Sequence, residues 1–154
     1  MKRRQAQGFT LLELLVVMVL LGIVMGMAGL KFGRDPQRVA NQEASLFLQM
    51  LQHARQQAVL EGRTLGIRLD GQGYQLFRAA EQGWEAAGRH RALELDLRLE
   101  VDGVPVSTAA RGNAPQLVIS SNDEHTPFSL YFMAMDKRLA TVSSDGLNDP
   151  KLAP

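Results

Sequence analysis

Residues 8–30 constrain the fold of this chain more than any other stretch. Their sequence, GFTLLELLVVMVLLGIVMGMAGL, is a long apolar run in which Glu13 is the only ionisable side chain. At about 1.5 Å of rise per residue, a helix of this length reaches roughly 30 Å, which is the thickness of the hydrocarbon layer of a bilayer. The sequence therefore predicts a transmembrane helix over residues 9–30.

Glu13 is costly inside such a helix and needs a partner. A charged side chain in a membrane costs roughly 2.5–3.5 kcal/mol on insertion scales, and the span contains no cation that could neutralise it. A cut between Gly8 and Phe9 would create a new amino group near the membrane surface. In a stack of such helices, Glu13 of one subunit could face the Phe9 amine of its neighbour, which would define a staggered assembly.

The N-terminal residues match a known family. The leader, residues 1–8, carries three basic side chains, the Gly8/Phe9 junction comes next, and Glu13 is the fifth residue after the junction. This pattern resembles the class III signal of type IV pilins and type II secretion pseudopilins. The resemblance implies that a prepilin peptidase cleaves after Gly8 and methylates the amine of Phe9. It also implies that Glu13 pairs with a neighbouring subunit in a helical filament.

Two simpler interpretations of residues 8–30 explain less. A secretory signal peptide has an apolar core of about 7–15 residues followed by a small-residue cleavage site, whereas this core continues to position 30. A plain single-span anchor fits the length and the basic leader but gives Glu13 no role. Gly22 and Gly26 form a GxxxG pair, which permits close contact between helices in lipid. We therefore predict that Glu13, Gly22 and Gly26 act in assembly.

Length and charge limit the size and chemistry of the domain beyond this helix. The 154 residues leave room for one small globular domain, and the absence of cysteine excludes disulfides and a thiol nucleophile. The net charge of +1 falls to about −2 without the basic residues of the leader, so bulk charge gives no basis for binding nucleic acid. The basic leader predicts a cytoplasmic N-terminus, hence a single-pass protein of the bacterial inner membrane with a periplasmic domain.

A second helix is predicted from position 37 to position 61. Its apolar residues recur at alternating spacings of four and three, which indicates an amphipathic helix. Asp35 and Pro36 supply a start, and Gly62 supplies a stop. The predicted apolar stripe consists of Ala40, Ala44, Phe47, Leu51, Ala54 and Ala58, widened by Leu48, Met50, Val59 and Leu60. The polar face is expected to contain Arg55 among several glutamines.

The apolar period changes from helical to alternating after Gly62. This change predicts a hairpin over residues 65–80, strands over 93–101, 117–119 and 128–135, and a final hairpin that ends at 142, with a loop over 102–115. The predicted fold class is α+β, in which a long N-terminal helix, transmembrane half plus amphipathic half, packs on a C-terminal antiparallel β-sheet or sandwich. The predicted segments are the cleaved leader 1–8, the transmembrane helix 9–30, the amphipathic helix 31–62 that continues the spine, and the periplasmic β-rich domain 63–154.

Patterns typical of catalysis or cofactor binding do not occur. The three histidines, at positions 53, 90 and 125, lack the paired spacing of a zinc site, and no nucleophile elbow is present. Asp145, Asn148 and Asp149 could offer oxygens to Ca²⁺, but their spacing departs from the EF-hand pattern and favours a capped turn. We predict no catalytic residue, no metal, no cofactor and no enzymatic activity.

Residues 121–152 add a second resemblance. Here TPF precedes a strand and a hairpin, and SSDGLNDPKL comes after them. The order resembles the C-terminal part of the H-type minor pseudopilins and of the related minor pilins FimT and FimU, the GspH/FimT family. It implies a minor pseudopilin of the type II secretion system, a structural subunit at or near the pseudopilus tip that supports export of folded proteins across the outer membrane.

The implied partners are the other minor pseudopilins, the major pseudopilin, the prepilin peptidase and the inner-membrane assembly platform. One alternative is a minor type IV pilin in pilus priming or DNA uptake. A DNA-binding tip needs clustered basic side chains, for which the candidates are Arg89, Arg91, Lys137 and Arg138, with acids interspersed. A second alternative is a membrane-anchored periplasmic binding domain that joins no filament.

Overall fold

The computed structural model describes residues 10–29, 35–108, 112 and 114–153. The chain divides into two compact units, of which the first ends at Asp35 and the second begins at Pro36. The leader, Phe9 and the predicted end of the span at position 30 lie outside the described residues.

The first unit contains helix α1, Leu11–Gly29. Thr10 caps its start, because the backbone N–H of Glu13 donates to the Thr10 carbonyl at 3.0 Å and to the Thr10 hydroxyl at 3.3 Å. The apolar side chains from Leu11 to Met25 are exposed. Within the described residues, no helix meets the length and hydropathy needed to cross a membrane. The transmembrane helix over residues 9–30 stays a prediction.

The second unit begins with helix α2, Pro36–Glu61. The helix agrees with the expectation of 37–61 from the apolar spacing, whereas residues 31–34 of the predicted segment 31–62 lie outside the described residues. Gly62 follows the helix with a φ of +62°, the left-handed conformation that glycine adopts easily. All six residues of the predicted stripe are buried, four of them alanines. The small alanine side chains let the backbone of α2 lie close to the sheets beneath it.

Ten strands come after α2. They are β1 (Leu65–Asp70), β2 (Gly73–Ala80), β3 (Gly83–Ala86), β4 (Arg91–Ala92), β5 (Asp96–Val101), β6 (Val104–Val106), β7 (Leu117–Ile119), β8 (Phe128–Ala134), β9 (Lys137–Ser144) and β10 (Lys151–Ala153). The first sheet has the order β3-β2-β1-β7, with β4 also paired to β2. The second sheet has the order β10-β9-β8-β5-β6. Every pairing is antiparallel, which confirms the predicted α+β class.

Phe47 of α2 lies at the centre of the core. Its ring meets those of Tyr74, Phe128 and Phe132 edge to face, with centroids 5.1, 6.1 and 6.5 Å away. Tyr74 belongs to the first sheet, whereas the two phenylalanines belong to the second. One side chain of α2 thus joins both sheets into a single core.

Several details differ from the sequence-based expectations. The predicted strand 93–101 begins only at Asp96, as β5. Val59 and Leu60 do not widen the buried stripe but are exposed, whereas Leu48 and Met50 do pack against the core. Arg55 is buried and does not lie on the polar face. Residues 104–106 form strand β6 where a loop was expected, because Asp102 and Gly103, with φ of +52° and +77°, make a two-residue hairpin turn with β5.

Candidate functional site

The predicted assembly residues fall partly within the described chain. Gly8 and Phe9 lie outside it, whereas Glu13 stands in the first turn of α1 and is exposed. Gly22 and Gly26 lie further along α1, and a Cβ added to either would meet no atom within 4 Å. Their surface is therefore open to close approach by another helix.

Glu13 and the glycine pair do not share a helix face. Successive residues of an α-helix turn by about 100°, so the nine steps from Glu13 to Gly22 place them on opposite sides of α1. Gly26 lies about 40° from Gly22 and shares its side. The predicted assembly residues can thus meet two different neighbours in a bundle.

A second candidate site is centred on Arg55, in the C-terminal half of α2. The Arg55 Nε and Nη2 atoms donate to the two carboxylate oxygens of Asp123, each at 2.9 Å. Its Nη1 atom donates to Asp149 Oδ1, also at 2.9 Å. We call these three residues the Arg55 cluster. It ties α2 to the β7–β8 loop and to the β9–β10 loop through charge-assisted hydrogen bonds.

Burial is unequal within the Arg55 cluster. The Arg55 side chain is 8% exposed, whereas those of Asp123 and Asp149 are 52% and 82% exposed. Burial alone would lower the pKa of Arg55, but the hydrogen bonds and charges of the two carboxylates outweigh it and raise that pKa. One guanidinium faces two carboxylates, so the cluster carries a net negative charge at its exposed side.

His125, a buried residue of the β7–β8 loop, forms hydrogen bonds that join this loop to the β9–β10 segment. Its Nε2 atom lies 2.6 Å from the hydroxyl of Ser144, and its backbone N–H donates to the carbonyl of Gly146 at 3.0 Å. The Nδ1 atom is buried without a hydrogen-bond partner of good geometry among the described residues. Burial lowers the pKa of His125 and the charge of Arg55 lowers it further, against the opposing effect of Asp123 and Asp145. The neutral ring is therefore favoured.

Asp145 folds the β9–β10 loop into a capped turn. Its carboxylate accepts the backbone N–H groups of Leu147 and Asn148 at 3.1 and 2.8 Å, and the Asn148 side-chain amide at 2.7 Å. These hydrogen bonds hold the pKa of Asp145 at about 2. Asp149 turns instead to Arg55, so the residues considered for Ca²⁺ serve separate structural roles. The described part of the chain contains no group of three or more His, Cys, Asp and Glu residues that could hold a metal ion.

A cleft of about 660 Å³ lies beside the Arg55 cluster on the flank of α2. Apart from the cluster, its lining consists of Gln52, Gln56, Val59 and Leu60. We call this cleft the α2 groove. It combines amide, apolar and acidic groups at the surface of the second unit.

The basic residues considered for DNA binding fall into two groups, with Arg89 and Arg91 at β4 of the first sheet and Lys137 and Arg138 on β9 of the second. Arg91, on β4 of the first sheet, donates to both carboxylate oxygens of Glu43 at 2.9 Å. Arg138, on β9 of the second sheet, lies with its guanidinium 5.5 Å from the ring centroid of Tyr131. The ion pair with Glu43 offsets the charge of Arg91, whereas Arg138 remains an exposed cation on the second sheet.

Sequence reasoning missed the Arg55 cluster. Arg55 follows Leu51 by four residues and precedes Ala58 by three, so helical spacing alone places it at the edge of the buried stripe. A charged residue there is a usable sign of a buried ion pair, because such a position needs a partner. The partners are 68 and 94 residues away in sequence, which no local pattern reveals.

Comparisons with known proteins cover nearly the whole chain. Residues 3–29 match the family model of the prokaryotic N-terminal methylation motif, and residues 43–146 match that of type II transport protein GspH. The chain is 34% identical to type II secretion system protein H of Pseudomonas aeruginosa, over 97% of this chain and 96% of that protein. It is 30% identical to the protein of the same name from Aeromonas hydrophila, over 94% and 92%.

Solved structures show the same fold. The minor pseudopilin EpsH from the type II secretion system of Vibrio cholerae matches with a TM-score of 0.66 and 24% identity, over 75% of this chain and 94% of that chain. The solution structure of Escherichia coli GspH matches with a TM-score of 0.59 and 21% identity, over 79% and 94%. At these identities the structural likeness establishes the fold.

Proposed function

This chain belongs to the GspH family of type II secretion minor pseudopilins, and from that premise we propose that it is a structural subunit at or near the pseudopilus tip. There it supports the export of folded proteins across the outer membrane. The observation that carries the proposal is the family match over residues 43–146, which spans most of α2 and the strands of both sheets as far as β9. The role is assembly without turnover of a substrate.

The proposed location is the bacterial inner membrane. Residues 9–30 cross it once, the N-terminus faces the cytoplasm, and the domain of α2 and the two sheets is periplasmic. The basic leader and the membrane-length apolar run support this topology. The match of residues 3–29, which comprise this leader and this run, to the N-terminal methylation motif also supports it.

Processing precedes assembly in this proposal. A prepilin peptidase cuts between Gly8 and Phe9 and methylates the new amine of Phe9. Glu13 then pairs with the amine of a neighbouring subunit, which offsets the cost of its charge in lipid. The open side of α1 at Gly22 and Gly26 faces a different neighbour and lets that helix approach closely.

The proposed partners follow from this position in a filament. They are the other minor pseudopilins, the major pseudopilin, the prepilin peptidase and the inner-membrane assembly platform. The relatives named above are secretion-system proteins and a minor pseudopilin, which supports the same set.

Replacing Glu13 tests the assembly role. A strain lacking the chromosomal copy is complemented with the full chain or with Glu13→Val, and the mature N-terminus is measured by mass spectrometry. We expect Glu13→Val to be cleaved and methylated normally but to be absent from sheared pseudopili, with secretion reduced at least tenfold. Val19→Leu, an apolar change in the same helix, is the control and should assemble normally.

A plain anchor behaves in the opposite way. Removing the charge would make its helix more stable in lipid, so Glu13→Val would keep full activity. That result would contradict the filament role.

A further inference from the structure

The α2 groove is an exposed surface whose apolar side chains, Val59 and Leu60, do not pack in the core. We propose that it docks an apolar, lysine- or arginine-bearing segment of a different pseudopilin in the same filament. This inference rests on the proposed function, which supplies the filament, and it adds the surface and the chemistry of the contact.

The apolar part of the groove comes from the last turn of α2. The side chains of Val59 and Leu60 are 47% and 86% exposed, although the rest of the apolar stripe is buried. Gln52 and Gln56 lie one turn apart beside them and offer amide groups at the rim. An apolar floor with a polar rim is the usual composition of a protein–protein contact.

The negative charge at the rim of the groove favours a partner that carries a positive charge. Arg55 is already engaged by both oxygens of Asp123 and by one oxygen of Asp149, and it leaves the second Asp149 oxygen without an arginine donor. The same two loops also carry Glu124 and Asp145 as exposed acids. A cation is therefore the complementary group, since it would neutralise the excess negative charge.

The same charge argues against two other classes of occupant. A nucleic acid and an anionic lipid surface both carry negative charge, which this rim repels. A protein segment that pairs an apolar side chain with a lysine or arginine satisfies both the floor and the rim.

The groove is organised before any partner arrives. The Arg55 cluster fixes the rim to α2, the His125–Ser144 contact joins the two loops, and Asp145 caps the β9–β10 turn. Gly146 completes this arrangement, because a Cβ there would lie 2.5 Å from the carbonyl oxygen of His125. A surface that is already ordered loses little entropy on binding.

Site-specific photocrosslinking tests the proposal in cells. A photoreactive amino acid replaces Gln56 in the full chain, expressed in the host that lacks its own copy, and adducts are probed with antibodies against each other pseudopilin. We expect an adduct with one of these subunits. Its yield should fall about tenfold with Leu60→Lys, which removes the apolar group and repels a cation, and less with Leu60→Glu, which removes the apolar group but adds a charge that attracts a cation.

Val104→Lys is the matched control, because Val104 is also an exposed apolar side chain but lies on β6. It should leave the adduct unchanged. Equal losses from Leu60→Lys and Leu60→Glu would overturn the charge assignment. An adduct with a second copy of this chain, with a protein outside the filament or with no protein would overturn the docking proposal. Secretion that depends on Glu13 in the same cells would show that the filament function stands even if the adduct is missing.

Discussion

Arg55 illustrates how one buried charge organises this domain. It reaches from α2 to two loops and donates three hydrogen bonds of 2.9 Å to their carboxylates. Both carboxylates keep contact with water, so the desolvation cost falls mainly on the arginine and is offset by three charge-assisted bonds. Arg55 therefore positions the loops and leaves an acidic rim outside.

Replacing Arg55 should destabilise the fold. We expect Arg55→Met to lower the free energy of unfolding by about 2 kcal/mol, because two loops lose their attachment to α2. Urea unfolding of the detergent-solubilised chain, followed by the fluorescence of Trp84, measures this change. Trp84 is the single tryptophan.

Arg98→Met is the control for Arg55→Met. Arg98 also forms an ion pair, at 2.8 Å to Asp136, but both side chains are mostly exposed. Its loss should cost at most about 1 kcal/mol. Equal effects of the two substitutions would contradict the structural role given to Arg55.

His125 predicts a specific pH dependence. Its pKa is below the usual 6.5 because the ring is buried next to Arg55, so the unfolded chain takes up the proton first as pH falls. The free energy of unfolding should therefore decrease as pH is lowered from 7 to 5, and His125→Gln should reduce this slope. Asp70 and Asp145 also have lowered pKa values, but the stability they contribute is lost only below about pH 4.

His53→Gln provides the comparison for His125→Gln, since His53 is exposed on α2. Unfolding curves at a series of pH values should show the wild-type slope for His53→Gln. If His125→Gln also keeps the wild-type slope, His125 is not the cause of the pH dependence between pH 7 and 5.

The sequence predicted those secondary-structure elements that depend on a local pattern of residues. The alternating spacing of apolar residues gave α2 and its buried stripe, and the glycines around Gln72 gave the β1–β2 hairpin. The Asp102-Gly103 turn was the missed local sign, because an Asp-Gly pair is typical of a two-residue hairpin. The exposure of Val59 and Leu60 in the last turn of α2 could not be predicted, since only the sheets decide that these two residues extend beyond the core.

Gly66 marks a close contact within strand β1. A Cβ at this position would overlap Pro115 Cγ and would lie 3.0 Å from Trp84 Cζ3. We expect Gly66→Ala to lower the free energy of unfolding by about 1–3 kcal/mol, because Pro115 or the strand must shift. The same substitution should alter the fluorescence of Trp84 in the folded chain.

Gly71 supplies the control for Gly66→Ala. It lies in the turn after β1, and a Cβ there would meet no atom within 4 Å. Gly71→Ala should change the free energy of unfolding by no more than about 0.5 kcal/mol. A similarly small effect of Gly66→Ala in urea unfolding would show that the contact relaxes without cost.

For the whole molecule, the sequence predicted the α+β fold class but not the order of the strands in the two sheets. A long apolar helix, an amphipathic helix and alternating strands gave the α+β order and the family. The strand order was not predictable, because β5 pairs with β8 and β1 pairs with β7 across long stretches of sequence. For the same reason the Arg55 cluster and the α2 groove emerged only from the structure, whereas Gly8, Phe9 and Glu13 were predicted from a contiguous motif.

Deletion of the gene in its host tests the central claim most directly. Exoprotein release is measured beside surface motility and DNA uptake, and the full chain is supplied in trans as the control. The account predicts that exoproteins accumulate in the periplasm while motility and uptake stay normal, and that the full chain restores release. Normal secretion with lost motility or transformation would contradict it and would identify a minor type IV pilin instead.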